Sequence, residues 1–310
     1  MDPTPGQLVY QNPKEVIEDR LQDLDSVTDD EQAPTGIPRD VFKGPMDSWH
    51  GFNKEVSTFY ANQHLQDAFA RTSGMRIDVD AMKAPPYWAD LNHTQVTEAK
   101  NTHFSLVHSA VNRMFTVAKV LFHDATPTQT ASLQSIPMTD DWRFVTTKMR
   151  RREENEEFEP NMLFKIPGNE NNQMERVVGN IKFSGTCHIR QNWGNSDSQA
   201  RGSMRHIFGQ VARDMRERGL RFGFISTYEE TVFLKIERQE NDGSYTLFYS
   251  DIVHHTHRTV MGSDQQALDS ISVRLGLLYL LHRATYEDVS TWSFNPDDIR
   301  SEEWACKELD

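Results

Sequence analysis

A single amphipathic helix held between two pairs of apolar segments constrains this chain more than anything else in it. The first pair runs from Pro160 to Lys182 as P-N-M-L-F-K-I-P, a polar loop, then V-V-G-N-I-K-F. Short apolar runs flanking a loop that contains Gly168 and Asn169 predict strands over 161–166 and 176–184, joined as a hairpin. Met204, Ile207, Phe208, Val211 and Met215 then recur at threes and fours. That period predicts a helix over 203–218, stopped by Gly219. R-F-G-F-I-S-T at 221–227 and T-V-F-L-K-I-E at 231–237 read as two further strands, with another over 244–250 and a long apolar helix over 264–284. Strands that alternate with helices in this order predict a mixed α/β fold (α+β), with a central sheet flanked by helices.

Upstream, Phe52, Val56, Phe59, Tyr60, Leu65 and Phe69 have mostly helical spacing, starting near Asp47 or Ser48. The residue pattern also predicts a strong helix over 95–123 and a loop over 124–140. The expected organisation is an acidic tail over 1–45 with a short helix near Pro13–Leu24, a helical extension over 46–140, a core over 141–290 and a C-terminal tail over 291–310.

Within the hairpin, Asn180 and Lys182 are separated by one residue, so strand alternation puts both side chains on one face and Ile181 on the other. Asn161 opens the first strand, nineteen residues before Asn180. Taken singly, these residues have plain readings. Asn161 after Pro160 also fits turn chemistry, and Lys182 also fits a strand lysine facing solvent.

Taken together, P-N…G-N-I-K resembles the P-D…(D/E)-x-K core of the PD-(D/E)XK nucleases. The segment G-F-I-S-T-Y-E-E-T-V-F-L-K is similar to one found in nuclease-like domains of filamentous fungi, sometimes fused to kinase-like domains. The likeness spans roughly 140–285. It implies a restriction-endonuclease-like core with Lys182 and, on the following helix, Gln210 as catalytic residues, vestigial or active. The departure is at Asn161 and Asn180, where the family carries acids that hold Mg²⁺. Mg²⁺ needs oxygen ligands and negative charge. Each lost carboxylate removes roughly several kcal/mol of attraction at ligand distance. No cofactor is therefore expected from these two positions. An active Mg²⁺- or Mn²⁺-dependent nuclease would need a displaced acid, for which Glu159, Glu175 and Glu55 are candidates, with Glu170 a further possibility.

Charge narrows the partners. The chain carries −13 overall, and residues 1–31 hold nine acids against two bases, a balance of −7. That distribution argues against general nucleic-acid affinity, which needs clustered cations. Local contacts remain open to Lys148, Arg150, Arg151 and Arg152, which precede a run of glutamates, and to Arg205 and Arg213 on the crossover helix. Trp142, Phe144, Trp193, Tyr228 and Phe233 could stack on bases or fill the core. His254, His255 and His257 in H-H-T-H-R lack the partners of a zinc motif, so exposed loop histidines are expected. Adjacent Cys187 and His188 do not by themselves place a thiol and imidazole for catalysis. A glycine-rich phosphate loop, H-R-D and D-F-G are all missing, which excludes a kinase.

With two cysteines there is no disulfide framework, and neither a bilayer-spanning run nor a signal peptide is visible. The expectation is a cytoplasmic or nuclear protein that has lost cleavage and binds a protein or nucleic-acid partner, without a membrane. The alternatives are the displaced-acid nuclease and a fungal effector or selfish-element factor with an unrelated target.

Overall fold

The computed structural model describes residues 10–21, 40–74, 77–78, 143–147, 161–167, 173–182, 187, 189–193, 203–262, 268–284 and 288–307. The helix expected over 95–123, the loop over 124–140 and the basic–acidic run over 148–159 lie outside them.

The described elements run in chain order as β1 (Tyr10–Gln11), α1 (Pro13–Glu18), β2 (Asp40–Phe42), β3 (Met46–Ser48), α2 (Phe52–Tyr60), α3 (Gln63–Arg71) and β4 (Ile77–Asp78). Next come β5 (Arg143–Thr147), β6 (Asn161–Pro167), β7 (Gln173–Ile181), α4 (Met204–Arg218), β8 (Phe222–Ser226), β9 (Glu230–Arg238) and β10 (Tyr245–Tyr249). The chain closes with β11 (Val253–His254), β12 (Val260–Met261), β13 (Leu268–Ser270), α5 (Val273–Ala284), α6 (Ser301–Trp304) and β14 (Ala305–Lys307).

The main sheet has the order β3-β10-β9-β8-β7-β6-β5, with β11 paired to β9. β5, β6 and β7 form an antiparallel meander, α4 crosses over, and β8 returns parallel to β7. β9 and β10 continue antiparallel, and β3 pairs parallel with β10 at the edge. The mixed α/β class with a mixed-orientation sheet flanked by helices is therefore as the sequence implied.

Helices cover both faces of this sheet. On one, Lys182 of β7 meets α4 through Gln210. On the other, Phe233 of β9 stacks on Phe52 of α2 at 5.0 Å, and Phe52 in turn meets Tyr279 of α5 at 6.0 Å. Burial on both sides explains why β8 and the middle of β9 read as nearly continuous apolar runs rather than as alternation.

Several boundaries differ from the sequence reading, each for a local reason. The apolar stretch over 264–284 is not one helix. Ser272 accepts the Leu275 amide on its hydroxyl, so α5 starts only at Val273, while Leu268–Ser270 pairs with β12. The early helix is two, because Asn62 caps α3 through its Oδ1 contact with the His64 amide. Ser48 ends a strand rather than starting a helix. Gly219 does end α4, with φ +63°, a conformation that favours glycine.

Neither expected tail is free along its length. Asn12 and Glu15 form a capping box on α1, and Val16, Ile17 and Leu21 are buried. The Ser272 hydroxyl donates to Ile17 O, and Arg274 donates to Val16 O at 3.0 Å. At the other terminus, Trp292, Phe294, Ile299 and Trp304 are buried, and β14 pairs antiparallel with β2. Apolar residues too sparse to show a period still anchored both segments. None of the described helices is long and apolar enough to cross a membrane.

β2 lies directly against α4. A Cβ on Gly209 would sit 1.9 Å from the Asp40 carbonyl oxygen. Alanine in a helix interior normally gains about 1 kcal/mol over glycine. Here the backbone contact reverses the sign, since overpacking costs about 1–3 kcal/mol or more. Gly209→Ala is expected to lower the urea midpoint of unfolding, whereas an unchanged or higher midpoint would contradict this packing.

Candidate functional site

The expected site residues meet at the C-terminal end of β7. Asn180 is fully buried and Lys182 is 1% exposed. The solvent-facing reading of Lys182 is therefore wrong: alternation turns its side chain under α4, where Nζ donates to Gln210 Oε1 at 2.9 Å. The Lys182 amide donates to Ser226 O at 2.9 Å and so extends the parallel ladder past the end of β7. Asn161, the first residue of β6, stands opposite Asn180 in the strand register. The three positions named from the hairpin and the one named from the helix thus share one end of the β6–β7–α4 unit.

The face of α4 that carries Gln210 is polar along its length. His206, Gln210 and Asp214 recur every four residues, and such positions stack on one helix face. His206 is fully buried with Nδ1 3.0 Å from the Ser203 hydroxyl at the start of the helix. Asp214 is 1% exposed. Burial pushes the Asp214 carboxyl up to about 6, against the opposing pull of Arg213. His206 and Asp214 were not singled out from the sequence, although their four-residue spacing from Gln210 was visible there.

The turn after β8 adds a strained element beside Lys182. Tyr228 has φ +74° and is 1% exposed. The Ser226 hydroxyl accepts the Tyr228 amide at 3.0 Å and contacts the Thr231 hydroxyl at 2.9 Å. These local bonds hold a bulky residue in the left-handed region, where it is uncommon.

Of the acids proposed as displaced metal ligands, the two among the described residues do not join this end. Glu55 lies on α2, across the sheet from Lys182. Its carboxylate accepts from Trp49 Nε1 at 2.9 Å and from the Tyr279 hydroxyl, and lies 3.8 Å from Lys235 Nζ. Glu175 pairs with Arg218 in the last turn of α4. It is five residues along β7 from Asn180, about 17 Å at the rise of an extended strand. Both acids already neutralise cations elsewhere. Glu159 and Glu170 lie outside the described residues. Among the described residues, no group of three or more His, Cys, Asp or Glu side chains converges as metal ligands.

Two of the arginines offered for phosphate contact have structural work. Arg205 donates from Nη1 to Phe42 O at 3.1 Å and Gly44 O at 3.0 Å. Arg213 pairs with Asp40 at 2.5 Å and with Asp214 at 3.3 Å. Together they clamp the β2 strand and the turn after it onto α4. Lys148 and Arg150, Arg151 and Arg152 lie outside the described residues. Phe233 and Tyr228 belong to the core, while Trp193 is half-buried with its ring 5.4 Å from that of Tyr249. His254 and His257 sit 5.2 Å apart in a half-buried turn.

No protein-family model, curated protein or solved structure matches the chain.

The buried Asp214 gives a testable pH dependence. Its folded pKa lies above its unfolded one, so folding favours the protonated acid. The cost of ionising it grows as pH rises from about 4 to about 6, reaching roughly 3 kcal/mol at most for a two-unit shift. Asp214→Asn is expected to raise Tm near neutral pH, with the gain shrinking to nothing as pH falls toward about 4. A Tm difference independent of pH would contradict the assignment.

Proposed function

We propose that this chain is a degenerate relative of the PD-(D/E)XK nucleases that has lost metal-dependent cleavage and acts by binding. One observation carries the reading: Asn161 and Asn180 face each other in register beside the buried Lys182–Gln210 bond. The resemblance calls for two acids at those positions, with the lysine and glutamine beside them. The element order lends support, because a three-stranded meander, a crossover helix and a returning parallel strand frame the lysine.

The chemistry follows from the side chains. An amide offers one neutral oxygen and two N–H donors. Against a divalent ion it supplies a weak ligand in place of a full negative charge. A nuclease of this type uses that ion to polarise the phosphate and to lower the pKa of the attacking water. Without it, Lys182 has no charged intermediate to steady. Its ammonium instead joins β7 to α4 through Gln210, which makes it a structural tie.

The net charge of −13 favours a protein over a nucleic-acid partner. The bonds of Arg205 and Arg213 to the β2 strand support the same reading, since they occupy both guanidinium groups within the fold.

Incubation with single- and double-stranded DNA and RNA, in Mg²⁺ and then Mn²⁺, tests the proposal. The wild-type protein is expected to cleave no faster than a Lys182→Ala variant. Metal-dependent cleavage that the variant loses would establish the displaced-acid nuclease in its place.

A further inference from the structure

A cavity of about 460 Å³ opens on the α2–α5 side of the sheet, at the opposite end from Asn180 and Lys182. Its floor is Phe222 and Lys235, which are register partners on β8 and β9. Arg283 in the last turn of α5 and the segment Ser290–Thr291 close one end, with Arg221 beside them. Trp49, Glu55 and Glu237 close the other. A volume of this size suits a small ligand.

The two ends differ in chemistry. At the arginine end, Arg221 donates from Nε to Ser293 O at 3.0 Å and from Nη1 to Ile236 O at 3.3 Å. Both acceptors are neutral carbonyls, so these bonds aim the guanidinium without cancelling its charge. Arg283 places its guanidinium carbon 5.9 Å from the Phe222 ring centroid. Ser290 and Thr291 line the same end, with their hydroxyls turned to Asp288: Ser290 donates to Asp288 Oδ1 at 2.8 Å and Thr291 to Asp288 O at 2.6 Å.

A third arginine adds to the same field. Arg176 is the extra residue where the β6–β7 register shifts between Phe164 and Lys165. It is 3% exposed and stacks on the Trp292 ring, guanidinium carbon to centroid 3.4 Å. Its Nε and Nη1 are buried and make no hydrogen bond. Among the described residues it forms no ion pair with a carboxylate. Trp292 follows Thr291 directly and its carbonyl accepts the Arg221 amide at 2.8 Å. A buried cation therefore lies against the residue next to Thr291. In a poorly solvated setting such a charge acts over longer range than it would in water.

The opposite end carries acceptors. Lys235 Nζ lies 3.0 Å from Glu237 and 3.8 Å from Glu55, and 4.6 Å from the Trp49 ring. Its charge is already balanced by two carboxylates. What this end offers a ligand is the outer lone pairs of Glu237, which suit hydroxyl or amino donors.

We infer that this cavity binds a small phosphate-bearing molecule with hydroxyl groups, of sugar-phosphate size. The phosphoryl group sits against Arg221 and Arg283, and the ligand hydroxyls meet Glu237. Guanidinium groups fit phosphate oxygens in a two-pronged geometry that a single ammonium cannot reproduce. The site lies across the sheet from Lys182 and needs no metal, so it stands or falls apart from the nuclease-like reading.

Calorimetry on the full chain, without divalent metal, tests this with inorganic phosphate, ribose 5-phosphate and ribose. Ribose 5-phosphate should bind more tightly than phosphate, and ribose should give no measurable heat. Arg221→Gln should weaken both anions by about tenfold or more, the loss typical of a charge-assisted hydrogen bond. Glu237→Gln, at an exposed position, should weaken ribose 5-phosphate and spare phosphate. If Arg221→Gln fails to fold, Arg283→Lys replaces it and should weaken both anions, because it keeps the charge and removes the guanidinium fork. No binding of either anion by the wild-type chain at about 10 mM would overturn the inference. So would affinities unchanged in a folded Arg221→Gln or in Arg283→Lys.

Discussion

Everything at the Lys182 end depends on β7 being covered on both faces. A strand buried on one side can send its polar residues into water. β7 cannot, because α4 lies over one face and the aromatic layer of α2 and α5 lies beyond the other. Alternation then decides the outcome. Asn180 and Lys182 must face α4, and a buried ammonium there needs an acceptor of fixed geometry. Gln210 supplies it. The same helix is held by β2 on its outer side, where glycine at 209 allows the Asp40 backbone to come close and Arg205 and Arg213 clamp it. The polar stripe His206–Gln210–Asp214 is in this way pinned between a sheet and a strand.

Much of this was legible in the sequence because it rests on local periodicity. The hairpin at 161–181, the helix ended by Gly219 and the strands around 222–249 follow from short apolar runs, a 3.6-residue repeat and a residue suited to positive φ. Strand alternation put Asn180 and Lys182 on one face, whereas Gln210 was named only through the resemblance, because no local spacing tells which residue of a crossover helix meets the strand. What escaped was decided at long range. The docking of Val16 and Ile17 onto α5 depends on bonds to Ser272 and Arg274, more than 250 residues away. The pairing of β14 with β2 joins segments at opposite ends of the chain. The bonds of Arg205 and Arg213 to β2 were not legible, because a helix face of arginines looks alike whether it meets solvent or a neighbouring backbone. Glu55 and Glu175 read as spare acids, since nothing local reveals that Lys235 and Arg218 already claim them.

The two ends of the sheet now stand in contrast. At one, two asparagines stand opposite each other in register, and a buried lysine ties strand to helix. At the other, arginines gather around Phe222 and Trp292 in a chain whose net charge is strongly negative. Acids dominate the sequence, yet the described cavity is bordered on one side by cations. The proposed loss of metal chemistry and the proposed anion site are thus separate consequences of where charge was removed and where it was kept.

Calorimetric titration with Mn²⁺ measures the first of these most directly, comparing the wild-type chain with one carrying Asn161→Asp and Asn180→Asp. The wild type should give no saturable binding in the millimolar range, while the pair of carboxylates, set opposite each other in register, should create it. Saturable Mn²⁺ binding by the wild type, abolished when Asn180 is replaced by alanine, would contradict the loss of the metal site.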